Sequence, residues 1–157
     1  VAIGAIGPGD VVLWALVAIA AIWDLTQRRI PNALIVVGLL LGIALQVQAQ
    51  GPMGIVWALV GMGVALVALI GPFILRMMGG GDVKLAMVCG AFTGWVGAIH
   101  IILVGTVIHG LVTVIVLVRA KLRDLRQEDP VPLRGVPHAV GFAVGAVLYG
   151  LGILHLW

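Results

Sequence analysis

The sequence predicts an all-α membrane protein, one domain over residues 1–157 built as a bundle of six transmembrane helices with both chain ends outside. Three observations predict it. Of 157 residues, 62% are hydrophobic and 10% charged, with a mean hydropathy of +1.25, whereas water-soluble domains carry roughly a quarter charged residues. Charges and prolines divide the chain into apolar runs that can cross a hydrocarbon layer of ~30 Å at ~1.5 Å rise per residue. The basic residues fall on alternate connections between those runs.

The first span, about 8–25, is the apolar run between Asp10 and Asp24. The opening VAIGAIGPGD has no Lys or Arg, unlike a secretory signal, so this run is expected to be retained as a span. The second, about 33–48, is entered through Pro31 and Asn32, which suit a helix start because proline lacks only a donor that would be free there. It ends in QVQAQGP. The third, about 54–75, is free of charge and stops at Arg76. From Leu85 to Val118 nothing is charged, which at helical rise is about 51 Å. That run must hold two spans, about 82–96 and 98–118, turning around Thr93 to Gly97. The last, about 138–156, follows a polar loop over about 119–137.

Arg28 and Arg29 fall in the first connection, Arg76 and Lys84 in the third, and Arg119, Lys121, Arg123, Arg126 and Arg134 in the fifth. By the positive-inside rule these three connections are cytoplasmic, which sets the expected topology in an inner membrane. The excess of 9 Lys and Arg over 6 Asp and Glu therefore reports orientation and contact with anionic lipid, and no nucleic-acid partner is expected. The single cysteine, Cys89, makes neither a disulfide framework nor a four-cysteine zinc site and reads as a small core hydrophobe. His100, His109, His138 and His155 share no ligand spacing, so neither a metal nor a cofactor is expected, and packing hydrogen bonds are their ordinary use. The tryptophans Trp14, Trp23, Trp57, Trp95 and Trp157 read as interfacial anchors.

Carboxylates at membrane depth are costly and persist mainly where they have a use. Asp10 sits at an outer helix end, and Asp124, Glu128 and Asp129 sit among arginines in the polar loop. Asp24 and Asp82 differ: each lies at the cytoplasmic end of a span, next to apolar residues, on non-adjacent helices. Asp82 follows three glycines in MMGGGDVKL, where a broken, water-accessible backbone is expected. Two close carboxylates share a proton, because like charges at short range cannot both ionise at neutral pH. One could take a proton from attacking water while the other donates to the scissile carbonyl. By residue type alone, solvation or pairing with Arg28, Arg29 or Lys84 competes with this reading. So do a small proton- or cation-coupled transporter or channel and a noncatalytic assembly subunit.

DLTQRRIPN, from Asp24 to Asn32, and GGGDVKLAMVCGAFTGW, from Gly79 to Trp95, resemble the type IV prepilin peptidases, polytopic aspartic proteases of the G-x-G-D kind. VPHAVGFAVGA, from Val136 to Ala146, resembles the family's last span, although an aromatic residue commonly stands where His138 does. The resemblance implies that Asp24 and Asp82 are the catalytic pair and that Gly79 and Gly81 are the signature glycines. Lys84, Pro31 and Asn32 match motif positions in support. It also implies a prepilin or pseudopilin precursor as substrate, cut where its short leader meets one hydrophobic helix at the cytoplasmic face. The paired C-x-x-C motifs of bifunctional, methylating members are missing, and the size and the R-I-P-N form look most like the small peptidases of tight-adherence, Flp-type pili. No serine occurs in the chain, which excludes a serine protease, and no P-A-L tripeptide supports a presenilin-like one. Oligomeric state is not legible.

Overall fold

A computed structural model describes residues 7–27, 29–76, 78–125 and 138–153, and every described element is helical. In order they are α1 (Pro8–Gln27), α2 (Asn32–Gln50), α3 (Met53–Ile74), α4 (Gly80–Leu125) and α5 (His138–Gly150). Among the described residues four helices are long and apolar enough to cross a membrane: α1, α2, α3 and the stretch Gly80–Arg119 of α4. The apolar part of α5, Ala139–Gly150, is shorter. The part of the expected sixth span beyond residue 153 and the loop over 126–137 lie outside the described residues.

Local chemistry sets the helix ends. Proline opens α1, Pro31 stands in extended conformation just before α2, and Pro52 just before α3. These are positions where a missing N–H removes no helical bond. α2 stops at Gly51, whose φ of 64° and ψ of −154° suit glycine alone. The expected loop over about 119–137 starts later than its charges suggest, because α4 stays helical through Leu125. Arg and Lys are good helix formers, so a change from apolar to charged residues ends a membrane span without ending a helix.

Within α4 the backbone leaves helical geometry at Gly94, with φ 68° and ψ −168°, inside the stretch where a turn is expected. Neighbours on either side show what the break does. Gly38 and Gly42 of α2 lie against Val88 and Ala91, so the first half of α4 runs in the same direction as α2. After the break Gly97 lies against Tyr149, Gly145 against Ile101 and Gly105 against Gly141 and Phe142. The second half of α4 is therefore antiparallel to α5, in four-residue steps along one face of each helix. Gly61 of α3 and Gly90 of α4 meet backbone to backbone, an approach that any Cβ would prevent.

Gln46 of α2 bonds to the chain beside the break, its Nε2 donating to the Phe92 carbonyl at 2.7 Å. Gln46 is buried, and Gln50 donates to its Oε1 at 2.6 Å. The core comprises Leu13, Val17 and Ala20 of α1, Leu85, Val88, Cys89 and Ile101 of α4 and Phe142 of α5, all buried. Many large apolar side chains are exposed, among them Val67, Ile74, Leu103, Val107 and Leu111, as a lipid-facing surface requires. Trp14 departs from the anchor reading: its Nε1 donates to the carbonyl of Ala146 at 3.0 Å and ties α1 to α5. His100 and His109 make local bonds along α4, to the Val96 carbonyl and the Thr113 hydroxyl.

Candidate active site

The site forms where the end of α1, the start of α2 and the start of α4 meet. Asp24 lies in the last turns of α1 and is partly buried. The chain then passes Arg29 and Ile30 to Pro31, whose carbonyl accepts the Ile35 N–H at 3.3 Å, and Asn32 opens α2. Phe73 of α3 packs near Gly80.

The three glycines before Asp82 act differently from the broken backbone expected there. Met78 and Gly79 are irregular, whereas Gly80, Gly81 and Asp82 form the first turn of α4. The physical reason is a cap made by Asp82 itself. Its carboxylate accepts the Gly79 N–H at 3.1 Å, and its own N–H donates to the Gly79 carbonyl at 3.1 Å. This is half of a capping box, with the acid three residues inside the helix reaching back to the capping residue's N–H. The positive end of the helix dipole favours the ionised carboxylate there by roughly 0.3–1 kcal/mol. A Cβ on Gly79 would stand 3.3 Å from the Asp82 Oδ2, crowding that carboxylate, whereas one on Gly81 would meet Ile30 at an ordinary 3.5 Å.

Asp24, Arg29, Ile30, Asn32, Gly79, Gly80, Gly81, Asp82 and Lys84 line one cleft of about 280 Å³. It brings together six of the seven residues singled out in the sequence. The seventh, Pro31, does not line it and stands in extended conformation just before Asn32. Asp82 is 8% exposed, and the charge of Asp24 opposes its own across the cleft. Lys84 reaches back across the cleft, its Nζ donating to the Asn32 Oδ1 at 3.0 Å. The wall that sequence reasoning missed is Ile30, which packs on the Gly81 backbone; an apolar residue between Arg29 and Pro31 was the available signal. Among the described residues no three of His, Cys, Asp and Glu gather as metal ligands.

The fold and this cleft define a multi-pass membrane protein that holds two carboxyl groups, from separate helices, at one end of its bundle. The chain belongs to the type IV leader peptidase family, whose sequence profile matches residues 11–115, a stretch containing both aspartates. Membership makes it a peptidase whose substrate is a protein of the prepilin kind. The match ends in the second half of α4 and leaves α5 outside it. No curated protein and no solved structure matches the chain.

Proposed function

We propose that the protein is an aspartic endopeptidase of the inner membrane that removes the leader of prepilin-like precursors, of the type IV or Flp type, at the cytoplasmic membrane boundary. The observation that carries this reading is the meeting of Asp24 and Asp82, 58 positions apart in sequence, in one cleft. One carboxylate takes a proton from water as its oxygen attacks the scissile carbonyl, and the other carboxyl gives its proton to the carbonyl oxygen. Collapse of that tetrahedral adduct breaks the C–N bond as the proton taken from water passes to the leaving nitrogen, and an adduct hydroxyl returns its proton to the other carboxylate as the C=O re-forms. Carboxylic acid and amine are released and the pair regains its starting proton count.

Topology in this reading follows from charge. Arg29 and Lys84 line the cleft and Arg76 follows the end of α3 beside it, so the basic end of the bundle is the cytoplasmic one. Six spans result when the two halves of α4 are counted separately at Gly94 and α5 is counted as the last. The deciding experiment incubates detergent-purified enzyme with candidate prepilins and compares wild type with Asp24→Asn and Asp82→Asn. Cleavage by the wild type that either substitution abolishes is expected. Full turnover by either variant would sink the reading.

A further inference from the structure

We propose that the apolar groove between α2 and α4 receives the first apolar turns of the precursor, and that the Asn32–Lys84 bridge at its mouth positions the unwound cleavage site. This deepens the peptidase reading and rests on it.

The groove, of about 260 Å³, is lined by Asn32, Ile35, Val36, Leu39, Lys84 and Met87. Asn32 and Lys84 also line the two-aspartate cleft, so the two spaces adjoin at these residues and their 3.0 Å hydrogen bond. On one side of the bridge lie two carboxylates, Arg29 and glycine backbone; on the other the walls are aliphatic apart from Met87. Because α2 and the first half of α4 run the same way, residues 32 to 39 and 84 to 87 descend together from the cleft into the apolar part of the bundle. From Asn32 to Leu39 that is about 10 Å, or two helical turns.

An occupant of both spaces has to change character where they adjoin. A precursor with a polar leader followed by an apolar helix does so, and its first turns would lie along the groove through side chains spaced three and four apart. Adjacency to the cleft favours that occupant over a lipid tail, since the same molecule must supply the bond between the aspartates. A peptide bond inside a helix is shielded from attack, so the site must unwind, and carbonyls freed at membrane depth need donors. Lys84 carries three N–H donors and the Asn32 amide two, of which the bridge uses one. The remainder stand at the junction where unwinding would occur.

The test measures steady-state cleavage of a full-length precursor in detergent. Val36 is 54% exposed on the groove wall, and Val36→Trp is expected to raise KM tenfold or more with kcat within twofold. Val67, 74% exposed on α3 and away from the groove, provides the control, with Val67→Trp leaving both constants within twofold. Precursors with serine in place of apolar residues in the two turns after the cut should raise KM for wild type and add little in Val36→Trp, the signature of a shared contact. Equal effects at Val36 and Val67, or full additivity, would overturn the proposal in favour of a groove filled by lipid. A second measurement does not depend on turnover: in an Asp82→Asn background, Val36→Cys is expected to form a disulfide with precursor cysteines on one face of those turns. The native Cys89 is fully buried and does not compete. Capture as strong from Val67→Cys would overturn the assignment. A wild type that cuts no precursor sinks the peptidase reading, whereas a wild type that cuts and is indifferent to the groove sinks this proposal alone.

Discussion

The molecule carries one four-residue pattern twice, at opposite ends of its bundle. Gly7-Pro8-Gly9-Asp10 opens α1 and Gly79-Gly80-Gly81-Asp82 opens α4. The local structure is the same. In each the aspartate accepts the N–H of the glycine three residues before it, at 2.9 Å for Asp10 and 3.1 Å for Asp82. A Cβ on that glycine would stand 3.4 Å or 3.3 Å from the carboxylate. Each aspartate faces a cleft, and the one beside Asp10 is larger, about 420 Å³ against 280 Å³. What differs is the opposite wall. Asp10 faces amides and a hydroxyl, from Gln46, Gln48 and Thr93, whereas Asp82 faces a second carboxyl and two cations. The comparison teaches that G-x-G-D is, in itself, a helix cap; chemistry needs the second acid that the fold brings across.

The strongest way to break this comparison is to neutralise each acid in turn. Asp24→Asn and Asp82→Asn should each lower precursor cleavage about 10³-fold or more, in the upper range for loss of a general acid or base. Asp10→Asn, measured in the same assay, should change the rate by less than about twofold, and a comparable loss there would erase the distinction between the two ends. The pH profile is the next largest effect. For two carboxyls sharing one proton, kcat should fall on the alkaline side as the donor ionises and on the acid side as the acceptor protonates, with apparent constants belonging to the pair. A flat profile from acid to alkaline pH would remove proton sharing from the mechanism.

Substitution of the capping glycines sharpens the comparison further. Gly79→Ala places a methyl group 3.3 Å from the Asp82 carboxylate and should reduce kcat about tenfold, since small displacements of a reacting group are expensive. Gly7→Ala, with nearly the same local geometry around Asp10, should leave kcat unchanged. The smallest effect on activity belongs to Gln46. Gln46→Leu removes the side-chain donor to the Phe92 carbonyl and should cost about 1–3 kcal/mol of stability, read by thermal unfolding in detergent, with kcat of the folded fraction unaltered.

Much of the molecule is legible without coordinates because lipid imposes simple rules. Composition and uncharged run length indicate a chain of apolar helices, and the limit on a single span's length calls for a turn in the stretch where the backbone leaves helical geometry at Gly94. The R-I-P-N and G-x-G-D stretches single out six residues that line the cleft. Other features resist such reading. Sequence pattern takes three successive glycines as a broken backbone, yet the Asp82 carboxylate, by accepting the Gly79 N–H, caps a helix that already includes Gly80 and Gly81. Trp14 looks like an interfacial anchor until the position of Ala146, 132 residues away, gives its N–H a partner.

By itself the sequence determined that this is a multi-pass membrane chain of apolar helices and which acids flank its apolar runs, because each of these depends on residue type and short-range spacing. The tertiary structure alone decided which of two identical caps acquires a second carboxyl. It decided as well that Gln46 bonds to the Phe92 carbonyl, and that a polar cleft adjoins an apolar groove at Asn32 and Lys84. Those are relations between helices distant in the chain, set by how backbones pack at glycines such as Gly61 and Gly90, and no local pattern encodes a distance between segments that first meet when the bundle closes.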